Sequence, residues 1–318
     1  MDTRAVGMSK LRGAAGLLVL ALTVAGCSSG TQGAGSAQPA SSASGTSASG
    51  TSAAVAPTSA PASSAAALPR PDHVMVVIFE NKSSSSVLGS PEAPYLNSLA
   101  TSGATLTDAH GVAHPSQPNY LALFSGSTQG VTDDSCPQSF GAPNLGSQLL
   151  AAGRTFTGYS ENLPVAGSTV CGGGTTYARK HNPWVDFPAL PPSVNQPYTA
   201  LPHDFSTLPT VSFVVPNLCH DMHDCPVATG DAWAKTNLAA YVSWARTHNS
   251  LLVVTFDEDE DTAANHIATF LVGPMVKPGP SAQRTDHYGV LRTLEDMYGL
   301  APIGSAAGAK PLTGIWTG

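Results

Sequence analysis

The stretch HVMVVIFEN, residues 73–81, decides the fold of this chain. Its first seven residues form a nearly continuous apolar run, which is typical of a parallel strand covered on both faces. Strand and helix patterns alternate along the rest of the chain, with strands predicted at 155–159, 210–215, 250–256 and 267–272 and helices at 94–102, 145–152, 231–248 and 287–298. This alternation predicts an α/β domain with a mainly parallel sheet.

The segment 169–206 differs from its surroundings because it is rich in Pro and Gly and has little periodicity. We predict that it forms a cap region over one end of the sheet, where substrate specificity would reside. The whole of 70–318 is predicted to be a single domain, since about 250 residues fit one core.

Polar side chains follow the predicted strands at the points where the strands end. Glu80 and Asn81 follow the first strand, and Asp257 and Glu258 follow the strand at 250–256. Because ligands bind beyond the carboxyl ends of parallel strands, we expect these side chains to meet. Clustered carboxylates are costly unless a cation lies among them, so the pattern predicts a divalent metal site. Further candidates for this edge are Asp221, His223 and His287.

Each of these motifs also has a simpler interpretation. A strand that ends in Glu-Asn usually only begins a solvated loop, and a lone His is as often structural as catalytic. The acidic run 257–261 has the alternation of a calcium loop, but position six is Thr262 instead of Gly and position twelve is Ala268 instead of Glu. The metal site is therefore predicted from the groups together.

The candidate nucleophile lies in HPSQPNY, residues 114–120. A helix is predicted to begin near Asn119, which places Ser116 at a helix N-terminus, where the N–H groups after it would favour a phosphate oxyanion. A metal-bound serine oxygen loses its proton readily and attacks phosphorus. The alternative is a serine N-cap in a Pro-rich turn. The G-x-S-x-G, P-loop and H-E-x-x-H motifs do not occur.

The ordered motifs F-E-N, H-P-S-Q-P-N-Y, P-N-x-x-x-D-x-H-x-C, T-F-D-E and D-H-Y resemble the bacterial phosphoesterase family of the alkaline phosphatase superfamily, over about 72–300. The resemblance implies a doubly wound, alkaline phosphatase-like sheet, a metal-bound serine or threonine nucleophile and a phosphoenzyme. It assigns Glu80, Asn81, Asp257 and Glu258 to the metal and active site and Ser116 to the nucleophile. The residues it implies for catalysis and a second metal ion include Asn119, Asp221, His223 and His287.

Two departures from the superfamily leave the number of metal ions open at one or two. Asp257-Glu258 stands where the wider superfamily has Asp-His, and Asn81 is additional. The predicted activity is an acid phosphatase acting on small phosphate monoesters through a phosphoserine. The alternatives are a phospholipase C-like phosphodiesterase and a surface-anchored binding lipoprotein without turnover. Nucleic acid is not an expected partner, because 21 acidic residues outnumber 14 Lys and Arg.

The first 26 residues have the pattern of an export signal, with Arg4, Lys10 and Arg12 ahead of the apolar run 13–25. The sequence V-A-G-C ending at Cys27 resembles a bacterial lipobox, which implies lipidation of Cys27 and an anchor in the membrane. Residues 27–69 are predicted to be a low-complexity linker to the catalytic domain 70–318. We expect an exported lipoprotein on the outer face of the cytoplasmic membrane; plain secretion is the alternative.

Four further cysteines fit this exported location, since an even number in an oxidising compartment suggests disulfides. Three pairings of Cys136, Cys171, Cys219 and Cys225 are possible. We favour Cys136–Cys171 with Cys219–Cys225, because short loops cost least entropy to close. A thiolate metal site is less favoured, because C-x-x-C is missing.

Overall fold

The computed structural model of the protein describes residues 68–173 and 176–317. The predicted signal peptide 1–26, the lipidation site Cys27 and nearly all of the 27–69 linker lie outside the described residues. Within the part that is described, no helix combines the length and apolarity needed to cross a membrane.

The strands, in chain order, are β1 (His73–Phe79), β2 (Ala104–Leu106), β3 (Ala109–His110), β4 (Phe156–Ser160), β5 (Gly172–Gly173), β6 (Tyr177–Ala178), β7 (Asn195–Pro197), β8 (Val211–Val215), β9 (Ser250–Phe256), β10 (Thr269–Val272), β11 (Gly279–Ser281) and β12 (Thr285–Asp286). The α-helices are α1 (Ser84–Val87), α2 (Pro94–Ser102), α3 (Ser116–Ser125), α4 (Leu145–Ala151), α5 (Val227–Ala245) and α6 (His287–Tyr298). Short 3-10 helices lie at Arg179–His181, Pro183–Asp186, Pro192–Val194, Tyr198–Ala200, Phe205–Thr207 and Gly304–Ala307.

The central sheet has eight strands in the order β11-β2-β10-β9-β1-β8-β4-β7. The five strands from β9 to β7 pair in parallel, whereas β10 runs antiparallel to both β9 and β2. The predicted mainly parallel α/β sheet is therefore confirmed. The long apolar run that follows residue 72 is its central strand, β1.

Helices cover both faces of this sheet. Val76 pairs with Phe213 across β1 and β8, and Phe213 packs against Phe124 of α3. Phe79, three residues further along β1, points to the opposite face and packs against Trp233 of α5. Since α3 and α5 lie on opposite faces, the sheet is buried on both sides, as its continuous apolar strands require.

Two of the four helix predictions match the structure at both ends, and α4 ends at Ala151, one residue before its predicted end. Helices α2 and α6 have the predicted bounds. Helix α5 was predicted at 231–248 but runs from Val227 to Ala245. The error at its start has a physical reason, because the Asp231 carboxylate accepts hydrogen bonds from the N–H groups of Tyr95 (3.1 Å) and Leu96 (2.8 Å). Asp231 therefore caps α2 and not α5.

The Pro/Gly-rich segment 169–206 is more than a surface loop. Its strand β7 pairs with β4 at the edge of the main sheet, and the buried Trp184 and Phe187 pack against Phe124. The buried ion pair between Arg179 and Asp186, at 2.9 Å, joins two of its short helices. The segment is therefore partly core.

The structure contains the disulfides Cys136–Cys171 and Cys219–Cys225, which is the pairing that the sequence favours. The first joins the loop before α4 to the Pro/Gly-rich segment. The second closes the loop between β8 and α5. Both disulfides fit an extracytoplasmic protein.

Candidate active site

Ser116 lies between two buried carboxylates at the carboxyl end of the sheet. Its Oγ is 3.0 Å from Oε2 of Glu80, which directly follows β1, and 3.0 Å from Oε1 of Glu258, which follows β9. Ser116 is the first residue of α3, after Pro115 at the N-cap. A hydroxyl has one proton to donate, so Ser116 satisfies only one carboxylate at a time. A proton or a cation is therefore required at the other.

A third carboxylate, Asp257, completes this side of the site. Its Oδ1 accepts the Asn81 N–H at 3.0 Å, and its Oδ2 is buried without a hydrogen-bond partner. Asn81 has φ 52°, a left-handed conformation that Asn tolerates better than most residues. This turn leaves the Asn81 side chain on the wall of the cavity above Ser116.

The Pro/Gly-rich segment and the loop after β8 supply the other side of the site. Ligand atoms of Glu80, His181 and Asp221 lie within 4.8 Å of one another. Nε2 of His181 is 3.1 Å from Glu80 Oε1, and its Nδ1 is 3.6 Å from Asp221 Oδ2. Neither His181 Nε2 nor Asp221 Oδ2 makes a hydrogen bond, although both are buried. Tyr120 stacks on His181 and donates its O–H to Glu80.

Burial controls the electrostatics of this cluster. Desolvation, followed by the neighbouring Asp257, raises the pKa of Glu80 well above its usual value. Desolvation also raises the pKa of Asp221, and with the charge of Glu258 it raises that of Asp257 to about 7. Burial lowers the pKa of His181, which keeps its imidazole neutral and able to act as a ligand.

These residues fit a divalent cation. His181 Nε2 and Asp221 Oδ2 are buried without hydrogen-bond partners in the cluster that they form with Glu80, and Asp257 Oδ2, whose carboxylate raises the pKa of Glu80, is a third such atom. Buried polar atoms are normally paired, and a cation bound between Glu80, His181 and Asp221 would pair the first two. Mixed imidazole and carboxylate ligands suit zinc, manganese or iron, so the donor set does not select one ion.

His114 holds Glu258 from the side opposite Ser116. Its Nδ1 is 2.5 Å from Glu258 Oε2, and its Nε2 is 3.1 Å from the carbonyl oxygen of Thr262. Desolvation opposes the charged imidazolium, but the Thr262 carbonyl and Glu258 raise the pKa of His114 above its usual value. Glu258 is thus fixed in position with one oxygen directed at the serine.

A cavity of about 460 Å³ opens over Ser116. Its wall is charged and polar, so it suits a small charged group and not an apolar one. The lining residues are Asn81, His114, Pro115, Ser116, Asp134, Lys180, His223, Glu258 and Asp261.

Comparison with known proteins identifies the family of this chain. The model of the phosphoesterase family matches residues 84–301, more than half of the chain. The chain belongs to the phosphoesterase family. It is a hydrolase acting on phosphoric esters, and its fold is that of the alkaline phosphatase superfamily.

This phosphoesterase is similar to curated phosphatases. It is 51% identical to a phosphatidylinositol-3-phosphatase of Mycobacterium tuberculosis over 80% of the chain and 85% of that protein. It is 30% identical to a phosphate-repressible acid phosphatase of Penicillium chrysogenum over 66% of the chain. The match spans 55% of the fungal protein, about half of its length.

Solved structures agree on the fold of the phosphoesterase. An alkaline phosphatase superfamily protein from Vibrio parahaemolyticus superposes with a TM-score of 0.54 at 14% identity, covering 78% of this chain and 73% of the other. The lipoteichoic acid synthase LtaP of Listeria monocytogenes gives 0.51 at 11% identity, with 73% of each chain covered. These structures establish the shared α/β architecture.

The predicted site residues do not all reach the cavity of the phosphoesterase. Glu80, Asp257, Glu258 and Asp221 meet as expected. His223 lies on the cavity wall, where its Nδ1 contacts Asp224 Oδ1 at 2.7 Å.

The two remaining predicted residues brace the site from behind. His287 is buried, and its Nε2 lies 2.6 Å from the Asp257 carbonyl oxygen. The Asn119 amide is used by the loop before the nucleophile: Oδ1 accepts the N–H groups of Val112 and Ala113, and Nδ2 donates to the carbonyls of Ala113 and Pro115. Both side chains hold backbone that carries site residues.

One detail of the serine environment corrects the sequence-based expectation. The N–H groups after Ser116 were expected to bind phosphoryl oxygens. Instead, the Gln117 N–H donates to Asp134 Oδ1 at 3.0 Å, and Pro118 has no N–H. The first turn of α3 therefore offers few free donors, and positive charge has to come from elsewhere.

Sequence reasoning missed His181, Lys180 and Tyr120 as site residues. His181 and Lys180 follow no strand of the central sheet, since β6 before them pairs with β5 in a separate two-stranded sheet, so a search of the predicted strand ends does not find them. A signal did exist, since Arg179-Lys180-His181 is a run of three basic residues in a chain that is only 11% charged. Tyr120 stands four residues after Ser116, on the same helix face.

Proposed function

We propose that this phosphoesterase is a metal-dependent phosphatase that hydrolyses phosphate monoesters through a phosphoserine at Ser116. The observation that supports it is the position of Ser116 Oγ, 3.0 Å from both Glu80 and Glu258 within a buried acidic cluster. Such a hydroxyl is an activated nucleophile when a cation balances the carboxylates.

The proposed ligands of the divalent cation are Glu80, Asp221, His181 and Asp257. When bound, a divalent cation supplies positive charge that lowers the pKa of an adjacent hydroxyl and neutralises phosphoryl oxygens. His287 holds the Asp257 backbone, so its proposed role is to position a ligand.

In the proposed reaction, Ser116 Oγ attacks phosphorus while Glu258 Oε1 accepts its proton. The bond from phosphorus to the ester oxygen breaks, and His223 Nε2 protonates the departing alcohol. Asp224 holds the other nitrogen of His223, which leaves Nε2 for proton transfer. Water then attacks the phosphoserine and gives its proton to His223 Nε2. The bond from phosphorus to Ser116 Oγ breaks, and Glu258 returns its proton to that oxygen, which releases inorganic phosphate and restores Ser116, Glu258 and His223.

The proposed substrate class includes phosphomonoesters carried on a lipid headgroup. This proposal rests on the mycobacterial relative, which is named a phosphatidylinositol-3-phosphatase and is 51% identical. An exported enzyme anchored through a lipid on Cys27 would meet such a substrate at a membrane. A phospholipase C-like diesterase is the alternative that the assay below tests.

The test compares Ser116→Ala with Ser125→Ala, which alters a buried serine at the other end of α3. Turnover of an aryl phosphomonoester should fall at least about 10³-fold in the first variant and stay near the unmodified rate in the second. Rapid acid quench should trap phosphate on Ser116.

Two further arms address the metal and the ester class. Dialysis against a chelator should abolish turnover, and added divalent metal should restore it. Faster hydrolysis of an aryl phosphodiester than of the monoester would favour the diesterase. Substantial activity of Ser116→Ala without a trapped phosphoserine would point to direct attack by water.

A further inference from the structure

Acidic side chains outnumber basic ones among the Asp, Glu, Lys and Arg residues that line the cavity over Ser116. Its wall includes Asp134, Glu258 and Asp261, and Lys180 is the one Lys or Arg among its lining residues. A phosphate ester that enters the cavity is an anion, so this wall would repel it. Lys180 is therefore the side chain on this wall whose charge would attract the substrate.

The Lys180 ammonium is fixed beside the nucleophile. Its Nζ lies 2.6 Å from Asp134 Oδ2, and the other oxygen of Asp134 accepts the Gln117 N–H, one residue after Ser116. The lysine side chain is only 17% exposed. Asp134 thus ties the ammonium to the first turn of α3, at the wall of the cavity that Ser116 also lines.

Lys180 also supplies hydrogen-bond donors beside the N-terminus of α3, which has few of its own. The Gln117 N–H is already used and Pro118 has no N–H, so the turn after Ser116 has little capacity to hold phosphoryl oxygens. The carboxylate of Asp134, 2.6 Å from Nζ, holds Lys180 as an ammonium ion at this position. It retains donors for an anion, since an ammonium has three and Asp134 takes one.

We infer that Lys180 selects phosphate monoesters over diesters by binding the additional charged oxygen that a monoester carries. A monoester dianion presents three non-bridging oxygens and a diester monoanion presents two. A fixed ammonium at the cavity wall therefore stabilises the monoester more strongly. This inference rests on the proposed function, because it assigns the ester class of the same site.

The kinetic test uses Lys180→Met, which keeps the length of the side chain and removes its charge. The kcat/KM for 4-nitrophenyl phosphate should fall about 10²-fold, as for loss of one charged donor, while that for bis(4-nitrophenyl) phosphate changes less than about threefold. Lys180→Arg should recover part of the loss. Lys235→Met, on the exposed face of α5, is the control and should change neither value.

A binding test needs no turnover. Calorimetry with the metal-loaded protein should show about tenfold weaker binding of inorganic phosphate in Lys180→Met, with no change for dimethyl phosphate. Equal losses for both ester classes, or unchanged phosphate binding, would overturn the inference, because Lys180 would then act only as a structural partner of Asp134. If the unmodified protein hydrolyses neither ester, the proposed function fails, and phosphate binding still decides the role of Lys180.

Discussion

Asp257→Asn should make the metal-free protein more stable at alkaline pH. Asp257 is fully buried, and one of its oxygens has no hydrogen-bond partner. The substitution keeps the shape and the oxygen that accepts the Asn81 N–H at 3.0 Å. It removes one negative charge from a cluster of buried carboxylates in which, without a metal ion, the Lys180 ammonium is a single positive charge beside Glu80, Asp221 and Asp257.

The magnitude follows from the pKa of Asp257. Desolvation and then Glu258 raise it from 3.8 to about 7. The folded state holds the Asp257 proton more tightly than the unfolded state does. The contribution of this proton to the free energy of unfolding is therefore complete below pH 3.8 and is lost as pH rises through about 7. The pKa difference between 3.8 and about 7 corresponds to roughly 4 kcal/mol of stability, which the unmodified protein loses at alkaline pH and the Asn variant keeps. For a domain of this size the difference is about 10 °C in melting temperature.

Thermal melts in chelator at pH 4, 6 and 8 would measure this difference. The variant and the unmodified protein should melt together at pH 4, and the variant should melt higher at pH 8. Saturating divalent metal should act in the opposite direction, since it stabilises the unmodified protein by about 2.7 kcal/mol at 100 times its Kd and the variant less. A variant that melts below the unmodified protein in chelator at pH 8 would refute the reasoning.

Asp186→Asn is the matched control, because Asp186 is also buried but has a cation. Its Oδ1 accepts from the Arg179 guanidinium at 2.9 and 3.2 Å. Burial raises the pKa of Asp186 to about 6, less far than that of Asp257, because the Arg179 guanidinium opposes the shift. Neutralising Asp186 leaves that guanidinium buried without a carboxylate, which typically costs about 3–5 kcal/mol. This variant should melt lower than the unmodified protein at pH 8, with chelator or with metal. The two Asp→Asn changes therefore have opposite signs in chelator.

Two further predictions concern the same cluster. His181→Gln should weaken metal affinity about 10–100-fold by calorimetry while the melting temperature in chelator changes little; unchanged affinity would remove His181 from the ligand set. Replacing Cys219 and Cys225 by Ser should weaken metal affinity before it unfolds the domain, because their disulfide closes the loop that holds Asp221. Equal metal affinity with and without this disulfide would show that the loop is held by other contacts.

Where a sequence pattern has one physical cause, it predicts the structure well. Helix α6 has the predicted bounds because Asp286 caps its first turn and Gly299, with φ 67°, ends it in the left-handed conformation. Glu80 reaches the site because it directly follows the central strand. Asp231 shows where such prediction fails, because an acidic residue before an apolar run is typical of the N-cap of the helix that follows it. Its carboxylate instead reaches α2, 136 residues earlier in the chain.

The residues of the candidate site also fall into a group that the sequence predicts and a group that it does not. The ends of parallel strands can be read from sequence, and they contribute mainly carboxylates. The groups that balance or recognise charge, His181 and Lys180, come from a segment without periodicity, whose path depends on a disulfide and on the buried pair of Arg179 and Asp186. No local pattern encodes that path, because it is fixed by contacts between residues far apart in the chain.

This division has a physical reason. A sheet edge lined with buried carboxylates is unfavourable by itself, because burial disfavours their charged form. The raised pKa values of Glu80, Asp221 and Asp257 reflect this cost. The Pro/Gly-rich segment lowers that cost by bringing His181 among them and a protonated Lys180 beside them. It also buries Trp184 against Phe124, so its position is set by core packing and not by the ligand. The charged groups are therefore held in place before a metal or a phosphate ester binds.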